Sequence, residues 1–473
     1  MISLEKAIEQ IKSANPFMGD LLSCEEPLIN YVKNKLTSYK PNAIHIERQK
    51  DYIGFIKNKI DRLFIKESVN INYAEGMILD TTDHHNILNY PSTIGAHLIS
   101  RFDSMLNRRD FGDYYVLDCG NIPFSDVLHK RGVEFGGKHL NLYPKSTKNK
   151  LVSRYPIYKF DLMESVKNSE NEFSEKEIDF IKHFQSIIDK IDFSTCERLS
   201  DQIVKVNYYL WLEFFDEKIR NDVRRCITLE HDEILIQFLS TFLLENKNNI
   251  VWKSLFDKGF RDRILSRFDG IYGAWNYSGK GSGTHFFWGF NLEDGKEYRM
   301  DFVDGKLVNH EGLVRDINMT PEDITLALTE GILIPSIFTK FALVSFYLGA
   351  KVMGGPGQTE YTDKLHKGWL DILKEYDYSE YLLVNTVTVL NFNCGDIAFH
   401  RKGQSDFIKE WGFDIAMNHT FSKEYLQTLG KTSFKYLLYP LIPISYYRLT
   451  PANERQEIDY KESDLYQGFN WLK

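Results

Sequence analysis

Two short apolar runs in the first third of the chain each end in an acidic residue. Gly76-Met-Ile-Leu-Asp80 and Tyr114-Tyr-Val-Leu-Asp118 have the length and apolar character of buried strands. Between them, Ser92 is expected to cap a helix with an apolar stripe. A strand, a loop, a helix and a second strand predict a βαβ unit, because a crossover helix returns the chain in the same direction. We therefore expect an α/β fold with a mostly parallel sheet.

The hydrophobic spacing divides the chain into four predicted regions. Residues 1–164 carry N-terminal helices and the first βαβ half of the core. Residues 165–260 change to helical spacing behind a capping box, Ser174-Glu-Lys-Glu177, and are predicted to form an inserted helical subdomain. Residues 261–450 combine aromatic hairpins with the second half of the α/β core, and residues 451–473 are predicted to be a surface tail.

The composition is typical of a folded protein. The 473 residues are 43% apolar and 26% charged, with a net charge of −8. An acidic chain without a basic stripe argues against a nucleic-acid partner, and five scattered cysteines argue against a disulfide scaffold. The N-terminus lacks an apolar signal core, and the longest apolar stretch, residues 331–353, is interrupted by Pro335 and Lys340. We expect a cytoplasmic protein without a membrane partner, for which a homodimer is an open alternative.

A polar loop, Asp80-Thr-Thr-Asp83-His84-His85-Asn86, follows the first predicted strand. Ligands of parallel sheets collect beyond the carboxyl ends of the strands. Imidazoles flanked by an acid can transfer protons or bind phosphate near neutral pH, so Asp83, His84 and His85 are candidate catalytic residues. Asp80 and Asn86 are candidate binding residues. A loop that only caps the next helix is the structural alternative, and a metal site built from an imidazole and one of the acids is another.

The second predicted strand also ends in a polar segment, Asp118-Cys119-Gly120-Asn121. Because the carboxyl ends of parallel strands share one edge of a sheet, Asp118 joins the catalytic candidates and Asn121 the binding candidates. Cys119 would be a nucleophile only beside a base, and a buried thiol without a chemical role is the commoner case.

A glycine-rich turn at residues 354–357 follows an apolar, strand-like segment and precedes a helix. Glycines permit positive φ and let a ligand approach the backbone closely, while free N–H groups suit an anion. A plain tight turn has the same composition. The candidate substrate- or nucleotide-binding residues of this segment are Gly354, Gly355, Gly357, Gln358 and Tyr361.

A further glycine-containing segment, residues 278–285, lies between two aromatic runs. It lacks the Walker A spacing. Lys280 could neutralise phosphate charge, and Thr284 and His285 are further binding candidates. A hairpin without a binding role is the alternative.

The chain resembles one known family in the order of its motifs. Leu333-Ile-Pro-Ser336 followed by Val352-Met-Gly-Gly-Pro-Gly-Gln-Thr-Glu-Tyr361 resembles the closing motif of the bacillithiol-biosynthesis cysteine-adding enzymes, in which a Pro-containing segment leads to Gly-Pro-Gly-Glu-x-x-Tyr. The resemblance covers residues 333–365 and, more loosely, 77–126. It implies a Rossmann-like core that binds a nucleotide and an amino acid and forms a carbon–nitrogen bond. Gln358 stands at the position of the family's Glu, and the family's Gly-Gln-Gln loop has no counterpart.

These features together predict a nucleotide-dependent ligase that joins an amino acid to an amine in small-molecule biosynthesis, with ATP or another nucleotide and Mg²⁺ as an open option. His84 and His85 would stabilise phosphoryl oxygens, and Asp83 or Asp118 would orient or deprotonate the attacking amine. One alternative is a metal-dependent hydrolase or oxygenase that uses the Asp/His loop. The other is a non-catalytic binding or scaffold protein on a degenerate enzyme fold, which the two departures from the family motif favour.

Overall fold

Several small sheets surround one larger parallel sheet in the computed structural model of the protein. The structure describes residues 1–37, 41–126, 128, 130–276, 283–387, 395, 398–400 and 407–472. The strands in chain order are β1 (Ile2–Ser3), β2 (Ile78–Asp80), β3 (Tyr114–Asp118), β4 (Gly132–Phe135), β5 (Lys138–Asn141), β6 (Cys226–Glu230), β7 (Phe287–Asn291), β8 (Lys296–Arg299), β9 (Asp301–Val303), β10 (Lys306–Val308), β11 (Ile317–Asn318), β12 (Leu333–Pro335), β13 (Lys351–Met353), β14 (Ala398–His400), β15 (Phe407–Lys409) and β16 (Ile458–Asp459).

Helices make up most of the remaining regular structure. In chain order they are α1 (Leu4–Ala14), α2 (Pro16–Leu22), α3 (Leu28–Val32), α4 (Ala43–Leu63), α5 (Pro91–Ser100), α6 (Arg108–Phe111), α7 (Leu162–Lys167), α8 (Glu175–Ile188), α9 (Leu199–Glu213), α10 (His231–Glu245), α11 (Ile250–Phe256), α12 (Lys258–Phe268), α13 (Pro321–Thr329), α14 (Ile337–Lys340), α15 (Gln358–Tyr376), α16 (Tyr378–Asn385), α17 (Gly412–Asn418), α18 (Lys423–Lys431), α19 (Lys435–Leu438), α20 (Ile442–Leu449) and α21 (Glu462–Leu465). Two segments are π-helical, Lys33–Thr37 and Phe341–Tyr347.

The central sheet has four parallel strands in the order β13, β2, β3, β6. Met353 pairs with Asp80, and Asp118 pairs with Glu230, so the carboxyl ends of neighbouring strands are level. The α/β fold and the two strands expected before the polar loops are confirmed. Strand β6 lies within residues 165–260, for which the sequence predicts only helices, so this region contributes a strand to the core.

Both faces of the central sheet are covered by helices. Along β3, Tyr114 and Val116 face one apolar core, while Tyr115 and Leu117 face the other. This alternation follows from the two-residue period of a strand. Apolar residues of α5 belong to the first core, and those of α4 and α10 belong to the second. The helix–sheet–helix layering leaves the carboxyl edge of the sheet open to loops only.

Two predicted helix starts have different outcomes. The Ser174 hydroxyl accepts from the Glu177 N–H at 3.4 Å, and the Glu177 carboxylate accepts from the Ser174 N–H at 2.6 Å, which confirms the capping box. The cap predicted at Ser92 is wrong, because α5 already begins at Pro91 with Tyr90 as its N-cap. Proline fits the first helical turn, where its missing N–H has no partner to lose.

The last residues are packed into the fold. β16 pairs in parallel with β1, and Leu465, Tyr466 and Phe469 are buried in the first core. The segment predicted as a surface tail is therefore only partly on the surface. Across the described residues, no helix combines the length and the apolar character that a bilayer crossing requires.

Candidate functional site at the carboxyl edge of the sheet

Three acidic side chains lie side by side at the carboxyl edge. Asp80, Asp118 and Glu230 are the last residues of β2, β3 and β6, and all three are buried. Burial raises the pKa of Asp80 to about 6, although His97 partly offsets the effect. Burial and the neighbouring Asp232 raise the pKa of Glu230 to about 7, and burial also raises the pKa of Asp118. The edge therefore holds carboxyl groups that can exchange protons near neutral pH.

We call the buried group of Asp80, Asp83, His85, His97 and Asp118 the imidazole network. His97 Nε2 lies 2.8 Å from Asp83 Oδ2, and His97 Nδ1 lies 3.7 Å from Asp80 Oδ2. Burial lowers the pKa of His97, but the two carboxylates outweigh burial and raise it. His85 Nδ1 lies 2.5 Å from Asp118 Oδ2. Both imidazoles are thus held between elements of the sheet edge.

His85 occupies a strained backbone position, with φ of 41°. Its N–H donates to Asp83 Oδ1 at 2.9 Å, and its ring Nε2 lies 3.1 Å from the carbonyl oxygen of Ser200. Because the carbonyl oxygen of Ser200 can only accept, Nε2 donates to it, and Nδ1 faces the Asp118 carboxyl group. A side chain engaged at every polar atom stabilises the loop and has no nitrogen left for a ligand.

His84 is the imidazole of the doublet that reaches the surface. Its side chain is 24% exposed, and its Nδ1 lies 3.1 Å from Asp126 Oδ2. Asp126 belongs to the loop after β3, which also carries Asn121. Of the two neighbouring imidazoles, His84 is therefore the one that a ligand can approach.

The glycine-rich turn lies against the polar loop after β2. The Thr81 N–H donates to the Met353 carbonyl oxygen at 2.8 Å, and the Thr81 hydroxyl donates to Gln358 Oε1 at 3.0 Å. A Cβ atom at Gly354 would lie 1.3 Å from Gln358 Oε1. No glycine of this fully described turn has a positive φ. Glycine is needed here to make room for the Gln358 amide, and the backbone freedom expected from the sequence is not used.

The start of α15 presents hydrogen-bond donors. Gln358 is its first residue and is buried, and its Nε2 has no hydrogen-bond partner among the described residues. The exposed Arg448 packs on Gly357, where a Cβ would lie 1.8 Å from Nη1. Tyr361 is buried one turn further along, and burial raises its pKa. An amide donor, a guanidinium and a helix N-terminus together suit an anion.

Lys340 is a buried cation at the same edge of the sheet. It ends α14, directly before the π-helix Phe341–Tyr347, and its side chain is 2% exposed. Its Nζ lies 2.6 Å from Asp232 Oδ1 and 2.8 Å from Asn121 Oδ1. Burial lowers the pKa of Lys340, but Asp232, Cys119 and Glu230 together outweigh burial and raise it, so the ammonium stays charged. Asn121, a predicted binding residue, thus holds this lysine.

Two more charges complete what we call the lysine crevice, which consists of Asn121, Arg154, Asp232, Glu297 and Lys340. Burial raises the pKa of Glu297 to about 7, although Lys340 partly offsets the effect. Burial and Arg198 lower the pKa of Arg154, whereas Glu230 and Asp232 raise it. Both side chains are therefore within electrostatic reach of Asp232.

Three predicted binding residues are engaged by backbone groups. The Thr284 hydroxyl donates to a carbonyl oxygen 2.6 Å away, and His285 Nδ1 accepts from an N–H at 2.7 Å. Asn86 Oδ1 accepts from an N–H at 2.8 Å. Thr284 and His285 lie beside the aromatic strands and are not brought to the residues of the imidazole network. Lys280 lies outside the described residues.

The functional candidates that were not reached from the sequence are His97, Arg154, Glu230, Asp232, Glu297, Lys340 and Arg448. Cys226-Ile-Thr-Leu-Glu230 is an apolar run that ends in an acid, as in the two predicted strands, so the same pattern could have found Glu230 and Asp232. Lys340 has no such local signal, because it stands inside an apolar run.

Two open grooves lie away from this edge. One, of about 520 Å³, lies beside the β4–β5 hairpin and α7 and includes Arg131, Lys145 and Tyr158. The other, of about 420 Å³, follows α4 and includes Lys57 and Phe64. Neither groove contains a predicted site residue, so we place the candidate site by the chemistry of its side chains.

Neither the protein-family models nor the curated proteins include a match to this chain. Within the part of the chain that the structure describes, no group of three or more His, Cys, Asp and Glu side chains is arranged to hold a metal ion.

Proposed function

We propose that this protein is a nucleotide-dependent ligase that joins an amino acid to an amine, and that the reaction takes place at the carboxyl edge of the parallel sheet. The observation that carries the proposal is Lys340, a buried ammonium held by Asp232 and Asn121 next to carboxyl groups with raised pKa values. Formation of an amide bond needs both of these groups.

The cation stabilises negative charge. When an amine attacks an activated carboxyl carbon, the carboxyl oxygen gains negative charge before the leaving group departs. The Lys340 ammonium, fixed by two partners inside a region of low dielectric constant, would stabilise this oxygen without reorganisation. Its Asn121 contact explains why an amide follows β3 at this position.

A carboxylate accepts the proton. The attacking ammonium must lose two protons in total, one before and one after the carbon–nitrogen bond forms. A carboxyl group with a pKa of about 7, as at Glu230 or Glu297, can accept a proton at neutral pH and release it afterwards.

The nucleotide would bind at the same edge of the sheet, beside the start of α15 and the loop after β2. A bound nucleoside triphosphate would supply the phosphoryl or nucleotidyl group that activates the carboxylate. The unpartnered Gln358 Nε2, the N-terminus of α15, Arg448 and the partly exposed His84 fit its negative charge. His85 and Asp118, whose contacts lie within the protein, would position the loop that carries His84.

Hydroxylamine trapping tests the proposal. The purified protein, ATP, Mg²⁺, the common amino acids and hydroxylamine as the amine should yield an amino-acid hydroxamate. Lys340→Met is expected to lower the rate about 10²-fold, because the developing oxyanion loses its cation. The double variant Lys340→Met/Asp232→Asn avoids an unpaired buried carboxylate and keeps the fold testable.

The control is Lys423→Met, which removes an exposed lysine at the start of α18 and should leave the rate unchanged. Absence of hydroxamate with the wild-type protein would refute the ligase. An unchanged rate in a folded Lys340 variant would refute the role of the lysine.

A further inference from the structure

Two side chains of opposite charge lie near one aromatic ring in the lysine crevice. Glu297 of β8 is paired directly opposite Phe290 of β7, so the two side chains share a face of the small antiparallel sheet β12–β7–β8. The Arg154 guanidinium lies over the Phe290 ring, 5.9 Å from its centre. A cation and a carboxyl group therefore both lie near the same phenyl ring.

Neither charge is fully satisfied. Arg154 Nη2 and Glu297 Oε2 are both buried without a hydrogen-bond partner among the described residues. An unsatisfied buried polar atom costs about 1–3 kcal/mol, and more when the group is charged. Two such atoms of opposite charge near the same phenyl ring indicate that a further molecule supplies the missing partners.

An apolar cluster adjoins the two charges. Phe290 belongs to a small buried cluster with Leu151 and Ile334, and the partly buried Trp288 packs against it. This cluster is separate from the two cores that cover the central sheet. A ligand that reaches both charges must also place part of itself on these apolar side chains.

We infer that this part of the crevice binds an α-amino acid with an apolar side chain, its carboxylate on Arg154, its ammonium on Glu297 and its side chain on the Phe290 cluster. The inference deepens the proposed function and rests on it only for assigning this ligand as the reaction's amino acid. Guanidinium groups recognise carboxylates through two parallel hydrogen bonds, and Arg154 still has a free donor for this purpose. An amino acid carries both required charges on one carbon atom.

Calorimetric titration with three probes separates the two contacts. L-Leucine should bind the full-length protein, whereas L-leucinamide lacks the carboxylate and N-acetyl-L-leucine lacks the ammonium, so each should bind at least about tenfold more weakly. Arg154→Met should weaken L-leucine binding about tenfold and leave L-leucinamide binding unchanged. Glu297→Gln should weaken L-leucine binding by a similar factor and leave N-acetyl-L-leucine binding unchanged.

Matched controls remove a charge elsewhere. Arg109→Met acts on the exposed α6, ahead of β3 and at the opposite end of the sheet, and Glu293→Gln acts on the exposed tip of the β7–β8 hairpin. Both should bind L-leucine as the wild type does. The isosteric Glu297→Gln keeps the test valid if Arg154→Met does not fold. L-Glutamate in place of L-leucine should bind more weakly, because its side-chain carboxylate would meet apolar groups.

The binding and hydroxamate results together distinguish an incorrect subsite from an incorrect reaction. No binding of L-leucine to the wild type, or unchanged binding in both folded variants, overturns the subsite even if hydroxamate forms. Binding of L-leucine that both variants weaken, without any hydroxamate, supports the subsite and overturns the ligase.

Discussion

The imidazole network and the lysine crevice occupy the same edge of the sheet but differ in how their charges are satisfied. In the network, Asp80, Asp83 and Asp118 each lie within 3.7 Å of an imidazole, although Asp80 Oδ2, His97 Nδ1 and Asp118 Oδ1 make no hydrogen bond among the described residues. In the crevice, Lys340 is paired with Asp232, whereas Arg154 and Glu297 are not paired with an opposite charge among the described residues, and each keeps an unpartnered buried atom. Of the residues predicted to be catalytic, Asp83, His85 and Asp118 are buried, and His84 is partly exposed.

This difference distinguishes side chains that stabilise the fold from side chains that can bind a ligand. A polar group whose partners all come from the protein contributes to folding, because breaking it leaves a buried charge behind. A polar group with a missing partner lowers stability unless a ligand supplies that partner. We therefore expect changes in the network to act mainly on the free energy of unfolding, and changes in the crevice to act mainly on binding.

The largest effect on stability is expected from Asp83→Ala. Asp83 accepts from the His85 N–H and contacts His97 Nε2, so its loss leaves a buried imidazole without its main anion. The free energy of unfolding should fall by about 3–5 kcal/mol, measured by urea denaturation. His84→Ala is the matched control, because its partly exposed ring should cost less than about 1 kcal/mol. Equal decreases in the free energy of unfolding would show that the buried network contributes no more to stability than the partly exposed His84.

An intermediate effect is expected on the pH dependence of the free energy of unfolding when Glu297 is replaced. Burial raises the pKa of this carboxyl from 4.5 to about 7 in the folded protein. Between these values the folded state binds more protons than the unfolded state, so the free energy of unfolding falls as the pH rises. Glu297→Gln removes this contribution, and stability relative to wild type should increase by as much as about 3 kcal/mol between pH 4.5 and 8.

The same measurement has an internal control. Glu293→Gln, at the exposed tip of the same hairpin, should follow the wild-type curve at every pH. Some pH dependence should persist in Glu297→Gln, because Asp80 and Glu230 also have raised pKa values. Parallel curves for wild type and Glu297→Gln would show that the crevice carboxyl is as well satisfied as those of the network.

The smallest effect concerns the turn beside the network. A Cβ at Gly354 would lie 1.3 Å from Gln358 Oε1 and 2.5 Å from Thr81 Oγ1, whereas a Cβ at Gly355 would lie no closer than 3.5 Å to Thr82. Gly354→Ala should therefore lower the free energy of unfolding by about 1–3 kcal/mol, and Gly355→Ala by clearly less. Similar thermal denaturation of both variants would show that close packing does not extend from the network to the turn.

The parts of the fold that the sequence predicts are those encoded by local pattern. β2 and β3 are short apolar runs between polar loops, and the capping box at Ser174 is a local motif. β6 escaped prediction because a run of this length does not distinguish a strand from a helix when long helical stripes lie on both sides. The neighbours α9 and α10 provide those stripes.

The candidate site was predicted only in part, for a tertiary reason. Asp80, Asp118 and Asn121 follow strands, and parallel strands bring such residues to one edge. Lys340 reaches the same edge only because β12 and α14 carry it against Asp232, a contact between residues far apart in the chain. Likewise, no local pattern shows that His85 points into the protein while His84 points outward.

The π-helical winding after Lys340 has a consequence for the way this protein is compared with others. Each residue of a helix turns the chain by about 100°, so one residue more or fewer within Phe341–Tyr347 would swing Lys340 away from Asp232 unless the winding compensated. The number of residues between Lys340 and β13 therefore says as much about the position of the ammonium as the presence of a lysine does. An alignment that places gaps freely in this stretch would equate proteins that keep the ammonium at the sheet edge with proteins that have lost it.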